Sequence, residues 1–326
     1  MNSFGNIFRV SLFGESHGSA VGAVLDNVPP GIPLSSEDFV LDMNRRKSGK
    51  KGTTPRLESD IPDIVSGVHE GLTTGAPIMI MIKNENTRSK DYSLFREMPR
   101  PGHSDFTAQK KYGGFNDLRG GGMFSARLTT AIVAAGVVAK KICSPVNYKA
   151  EIVHIGGNID IEAELDSVMK DKDSIGGLVK CTGINMPIGL GEPFFGKFEA
   201  QLAHIMFSLP AVKAFEIGSG VKAALMRGSE HNDCFSDENG KTLTNNSGGT
   251  LGGITNGNSI EFSVTFKPTA SISIPQKTFN FEKGKIDTLI IEGRHDACLT
   301  LRTPVIVEAC AAIVTADLLL YNRIYG

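Results

Sequence analysis

Phe8, Val10 and Leu12 alternate with polar positions, so residues 6–13 read as a strand with one buried face. Residues 20–25 read as a second strand. After a stiff Pro29-Pro30-Gly31-Ile32-Pro33 connector, Ser35 stands as a helix N-cap with Asp38 three residues on. Phe39, Val40 and Met43 give that helix an apolar face. Residues 64–70 and 76–83 read as strands joined by a turn at 71–75. Further strands are expected at 151–155, 178–181, 211–217 and 260–267. Helical stripes fall at Ile161, Leu165, Val168 and Met169, and at Phe198, Leu202, Ile205, Met206 and Leu209. Strands and helices alternate through this middle part, which predicts helices packed on a sheet. Two segments, 129–141 and 304–321, are apolar almost all round. Such helices belong in a core or a subunit interface.

The chemistry lies between these elements. Phe13-Gly14-Glu15-Ser16-His17-Gly18 presents a histidine between glycines where the first strand runs out. Arg45 to Lys51 holds five cations in seven residues, broken by Gly49. It reads either as a solvated loop or as a clamp for a polyanion, since arginine's planar fork suits carboxylate and phosphate. Arg88 to Tyr92 reads as a polar connector. Arg100-Pro101-Gly102-His103-Ser104-Asp105 presents a second histidine with a carboxylate to orient it. Arg119-Gly120-Gly121-Gly122 feeds the Ser125-Ala126-Arg127 start of an apolar helix. Free N–H groups at such a start favour an anion. No P-loop or dinucleotide fingerprint is present. Lys267-Pro268-Thr269-Ala270-Ser271 and Gly293-Arg294-His295-Asp296 add hydroxyls, cations and a third histidine–carboxylate pair. His154 and His204 fall inside regular elements and read as structural.

A net charge of −1 argues against a general nucleic-acid or anionic-membrane binder, so any anion site must be a local cluster. No long uninterrupted apolar run predicts a membrane span, and no secretory leader is visible at the N-terminus. The five cysteines are scattered without Cys-x-x-Cys spacing, which points to a reducing cytoplasm and away from zinc. No ligand spacing points to another metal. Without linker, low-complexity tract or repeat, residues 1–326 are expected to form a single catalytic domain. From residue types alone, the chain is an anion-handling enzyme with loop-borne histidines.

Taken in order, the Gly14–Gly18 loop, Arg45-Arg46, Arg100-Pro101-Gly102-His103, Gly120-Gly121-Gly122 with Ser125-Ala126-Arg127, Lys267–Ser271 and Gly293–Asp296 resemble the chorismate synthase family. The resemblance runs from about Phe4 to beyond Leu320. It implies an α+β fold with helices sandwiched between two antiparallel sheets, and a homotetramer. It implies a 1,4-anti elimination of phosphate from 5-enolpyruvylshikimate 3-phosphate to chorismate. This is the last common step toward aromatic amino acids and needs reduced FMN without net redox change. In some members NADPH reduces the flavin.

Carried over, His17 would protonate the leaving phosphate and His103 would protonate, or hold the charge state of, the reduced flavin. Asp296 would join the relay that removes the ring proton. Arg45, Arg46, Lys51 and Arg127 match substrate- or NADP-binding positions. Met123, Phe124, Ser125, Pro210, Ala211, Gly252, Lys267, Pro268, Thr269, Ala270, Ser271 and Arg294 match flavin-contacting positions. Many members instead have arginine and serine at 123 and 124, asparagine at 210, and a further arginine near Lys51. A flavin-dependent oxidoreductase acting on a small anion is the nearest rival. A non-catalytic RNA binder using the Arg45–Lys51 run is a second, against which near-zero charge and missing interleaved aromatics count.

Overall fold

Thr129–Ile142 and Pro304–Tyr325 pack against each other at the centre of the molecule. Gly136 sets their approach, because a Cβ there would lie 2.3 Å from the Ala309 Cβ. This is seen in a computed structural model, which describes residues 2–55, 58–85, 92–293 and 295–325. The Pro304–Tyr325 helix is long and apolar enough to cross a membrane by composition, but 83% of its most apolar window is buried inside the protein.

An antiparallel sheet covers each side of this pair. The first has the order Ser3–Phe4, Arg9–Gly14, Ala20–Asp26, Ile78–Lys83, Asp63–Ile64. Its Val21, Ala23 and Leu25, with Ile78, Ile80 and Ile82 from the neighbouring strand, are fully buried, and the sheet packs on Thr129–Ile142. The second has the order Val212–Ile217, Ile260–Phe266, Gly177–Ile184, Asn147–Ile155 and packs on Pro304–Tyr325. The expected helix sandwich is therefore present.

Several boundaries differ from the periodicity. The first long strand starts at Arg9 rather than at residue 6. The N–H groups of Asn6, Ile7 and Phe8 turn instead to the carboxylate of Asp317 in the last helix, at 2.6–3.0 Å. Burial pushes the Asp317 pKa up, while these three donors work against it. The strand expected at 64–70 breaks in two. Asp63–Ile64 joins the sheet, and Val68–His69 pairs with Leu72–Thr73. Gly67 sits at the break with φ +82°, and a Cβ there would meet Ile78 at 2.6 Å. The helix after Ser35 begins as a tight turn, Ser36–Phe39, before Val40–Arg46. Phe39 and Met43 are buried, whereas Val40 faces outward.

Candidate active site

Gly120, Gly121 and Gly122 have φ of +59°, +84° and +53°, a run of left-handed backbone that side chains disfavour. This run lies under both loop histidines. A Cβ on Gly120 would come 2.7 Å from the His17 ring, and one on Gly121 would come 3.5 Å from the Nε2 edge of His103. The Gly122 carbonyl also accepts a hydrogen bond from the Ser16 N–H at 3.1 Å. Gly120→Ala is expected to push His17 aside and lower turnover by at least about 10-fold with the fold intact. Paired rate and melting measurements check this.

His103 is oriented by Asp105, whose Oδ1 lies 2.7 Å from Nδ1. Arg100 Nη2 also lies 3.2 Å from Nδ1, but a carboxylate only accepts and is the nearer partner, so the proton sits on Nδ1 and Nε2 is left toward Gly121. Asp105 also takes the Arg100 fork at 2.7 and 2.9 Å. Burial works to raise the Asp105 pKa, yet its bonds to Arg100 and His103 prevail and hold it well below the usual range. Arg100 in turn lies over the Phe95 ring and donates to Ser271 Oγ at 3.1 Å. His17 meets Tyr92 edge-on, with ring centres 5.6 Å apart.

Opposite the histidines stands a group of buried charges. Asp60 bridges the guanidinium groups of Arg46 and Arg127. Arg46 also donates to Thr129 Oγ1 and the Ala126 carbonyl, and Arg127 to Asn84 Oδ1 and the Lys83 carbonyl. Burial lowers the Arg46 pKa well below its ordinary value, with Arg302 adding repulsion and Asp60 opposing both. A guanidinium nevertheless stays protonated in a protein. Asp296 accepts from the Thr54 N–H at 2.7 Å and from Arg302 Nη1 at 3.2 Å. The loop carrying Thr54 is pinned there, since the Gly52 carbonyl accepts from Ala297 and Cys298 N–H.

His17, His103, Arg100, Arg46, Arg127, Asp60, Thr54, Asp296 and Arg302 border one cavity of about 1270 Å³, with Asp105 behind His103 and Arg100. Met123, Phe124 and Ser125 line it, as do Pro210 and Ala211 and the whole Lys267–Ser271 stretch. Ala211 itself has φ +71°, and its carbonyl accepts from the Lys267 N–H. Lys267 Nζ donates to the Gly102 carbonyl, and Thr269 Oγ1 to the Asp296 carbonyl. Burial lowers the Lys267 pKa, with Lys213 adding repulsion.

A family model described as chorismate synthase matches residues 8–320. The chain belongs to the chorismate synthase family. A chorismate synthase of Chitinophaga pinensis is 54% identical over 324 residues, covering 99% of this chain and 98% of the relative. One of Dehalococcoides mccartyi is 42% identical over 351 residues, covering 98% and 96%. A crystal structure of chorismate synthase matches with TM-score 0.76 and 26% identity, over 98% of this chain and 93% of that one. Chorismate synthases are lyases, and this chain is one of that class.

Not every position expected from the chorismate synthase resemblance reaches the cavity. Arg45 turns away from it and holds Glu308 through two bonds at 2.6 and 2.7 Å. Consecutive residues on a helix point about 100° apart, so Arg45 and Arg46 cannot share one target. Lys51 pairs with Asp166 and Glu162 on the surface, and Gly252 lies outside the cavity lining. Arg294 and the Arg88–Asp91 part of the polar connector lie outside the described residues. His154 accepts from the Gly157 N–H on its strand, as a structural residue does. His204, expected to be structural, lines the cavity and packs edge-on against Phe4. Asp60, Thr54, Arg302 and the Asn2–Phe4 segment were not expected at the site. Asp60 alone carried a readable signal, as a carboxylate soon after a cation-rich run. No described group of three or more His, Cys, Asp or Glu side chains is arranged to hold a metal.

Proposed function

We propose that this chain converts 5-enolpyruvylshikimate 3-phosphate to chorismate and phosphate, with reduced FMN as cofactor. The observation that carries the reading is the pair of histidines packed on adjacent glycines at one cavity that also holds Asp296 and several arginines. The cavity exceeds the roughly 300–1,000 Å³ of a single-ligand site, so cofactor and substrate fit together. The left-handed glycine run lets the backbone approach both histidines closely, and Gly120 itself borders the cavity.

Lys267 to Ser271, Ser125 and the Pro210–Ala211 corner would hold the flavin, which when bound supplies electron density for breaking the allylic C–O bond. Met123 and Phe124 offer apolar contact there in place of the more usual arginine and serine. Arg46 and Arg127 retain a net positive charge after Asp60 is counted, and so attract a substrate with two carboxylates and a phosphate. His17 gives a proton to the departing phosphate. His103 stays in one tautomer through Asp105 and keeps Nε2 available to the cofactor. Asp296 would join the relay that removes the ring hydrogen beside the flavin. The reading includes a cytoplasmic homotetramer, which the large apolar side chains on the surface, Phe115, Phe195 and Leu225 among them, support.

The test is an anaerobic assay with prereduced FMN. Chorismate should accumulate over many turnovers without stoichiometric flavin oxidation. Consumption of one reduced flavin per product overturns the reading in favour of an oxidoreductase. Turnover in air with NADPH and no added reductase would show that the chain reduces its own flavin.

A further inference from the structure

The cavity's arginines divide by partner. Arg46 and Arg127 share Asp60, whereas among the described residues Arg302 is the arginine that joins Asp296. Arg302 lies in the short turn Leu299–Arg302 that leads into the long central helix, so its backbone is fixed by the most buried element of the protein. Its Nε donates at 3.1 Å to the carbonyl of Arg46, the last residue of the Val40–Arg46 helix. Its Nη1 donates to both Asp296 oxygens, at 3.4 and 3.2 Å. The Asp296 Oδ1 atom is fully engaged, because it also accepts from Thr54 N–H at 2.7 Å. Among the described residues Oδ2 accepts only from Arg302, at 3.2 Å, and keeps a lone pair for a proton.

We propose that Arg302 is the positioning residue of Asp296, fixing that carboxylate against the end of the arginine-bearing helix so that Oδ2 faces the substrate. This rests on the reading in which Asp296 joins the relay that removes the ring hydrogen. The guanidinium suits the task because one planar group donates in two directions at a set angle. Lysine keeps the charge but not that geometry. Arg302 acts through Asp296, so its effect belongs to the chemical step and not to substrate binding.

The test compares Arg302→Gln and Arg302→Lys with the parent chain. Three readouts are needed: kcat in the anaerobic assay, the substrate Kd by calorimetry without flavin, and the melting temperature. A misplaced proton acceptor should lower kcat by about 10²-fold in Arg302→Gln while Kd stays within about twofold. Arg302→Lys should recover part of the loss. An unchanged kcat per folded site overturns the proposal. So does a substrate Kd that rises in step with the fall in kcat/KM, because Arg302 would then be a substrate ligand. If Arg302→Gln does not fold, the same criteria apply to Arg302→Lys. Asp296→Asn is the separate control: full turnover in that variant removes the reading of Asp296 itself, whatever Arg302 does.

Discussion

His17→Ala is expected to lower turnover by about 10²- to 10⁴-fold, the span of a general acid's contribution. The loss should fall on kcat, since the imidazole gives its proton only as the phosphate departs. Folding should be spared. The His17 ring lies on Gly120 and Tyr92 at the cavity wall, not within the packed interior between the sheets. Rapid-quench measurement of chorismate, beside a thermal melt, checks both statements. An unaltered rate would remove His17 from the mechanism and leave His103 as the candidate acid.

Asp60→Ala is expected to do the opposite and strike stability first. Asp60 is 4% exposed and sits between two buried guanidinium groups, Arg46 and Arg127. Removing one partner of a buried ion pair costs about 3–5 kcal/mol, because the remaining charge stays in a poorly solvated place. Here two charges remain. Asp60 also has φ +48°, a backbone state that asparagine tolerates far better than alanine. Asp60→Asn should therefore lose less, retaining hydrogen bonding but not charge. Urea unfolding of both variants tests the ranking. An Asp60→Ala midpoint equal to that of the parent would show that Arg46 and Arg127 need no counter-charge.

The two central helices were legible because nearly every position in them is apolar, a pattern with one physical outcome. The strands were legible where one face is buried, as at Val10 and at Ile78 to Ile82. Their ends were not. Asn6 to Phe8 leave the strand because a carboxylate from the far end of the chain takes their N–H groups, and no local pattern encodes that partner. That two sheets would enclose the helices came from family resemblance alone. At the site, residues announced by glycine and proline were found, because a loop that exposes backbone must be written in those residues. Arg302 and Asp60 were missed because their role depends on who meets them in space. The same holds for Arg45, which faces Glu308 while its neighbour Arg46 faces the cavity.

The bond from Asp317 to the turn at Asn6 to Phe8 has a consequence for how the molecule comes into being. During synthesis the N-terminal segment emerges first, yet the carboxylate that anchors it is made more than 300 residues later. Asn2 to Phe4, which wall the cavity, follow directly from that anchored turn. The same late helix carries Glu308, the partner of Arg45 beside the buried Arg46. A chain without that helix therefore lacks both the acceptor for the Asn6 to Phe8 N–H groups and the partner of Arg45.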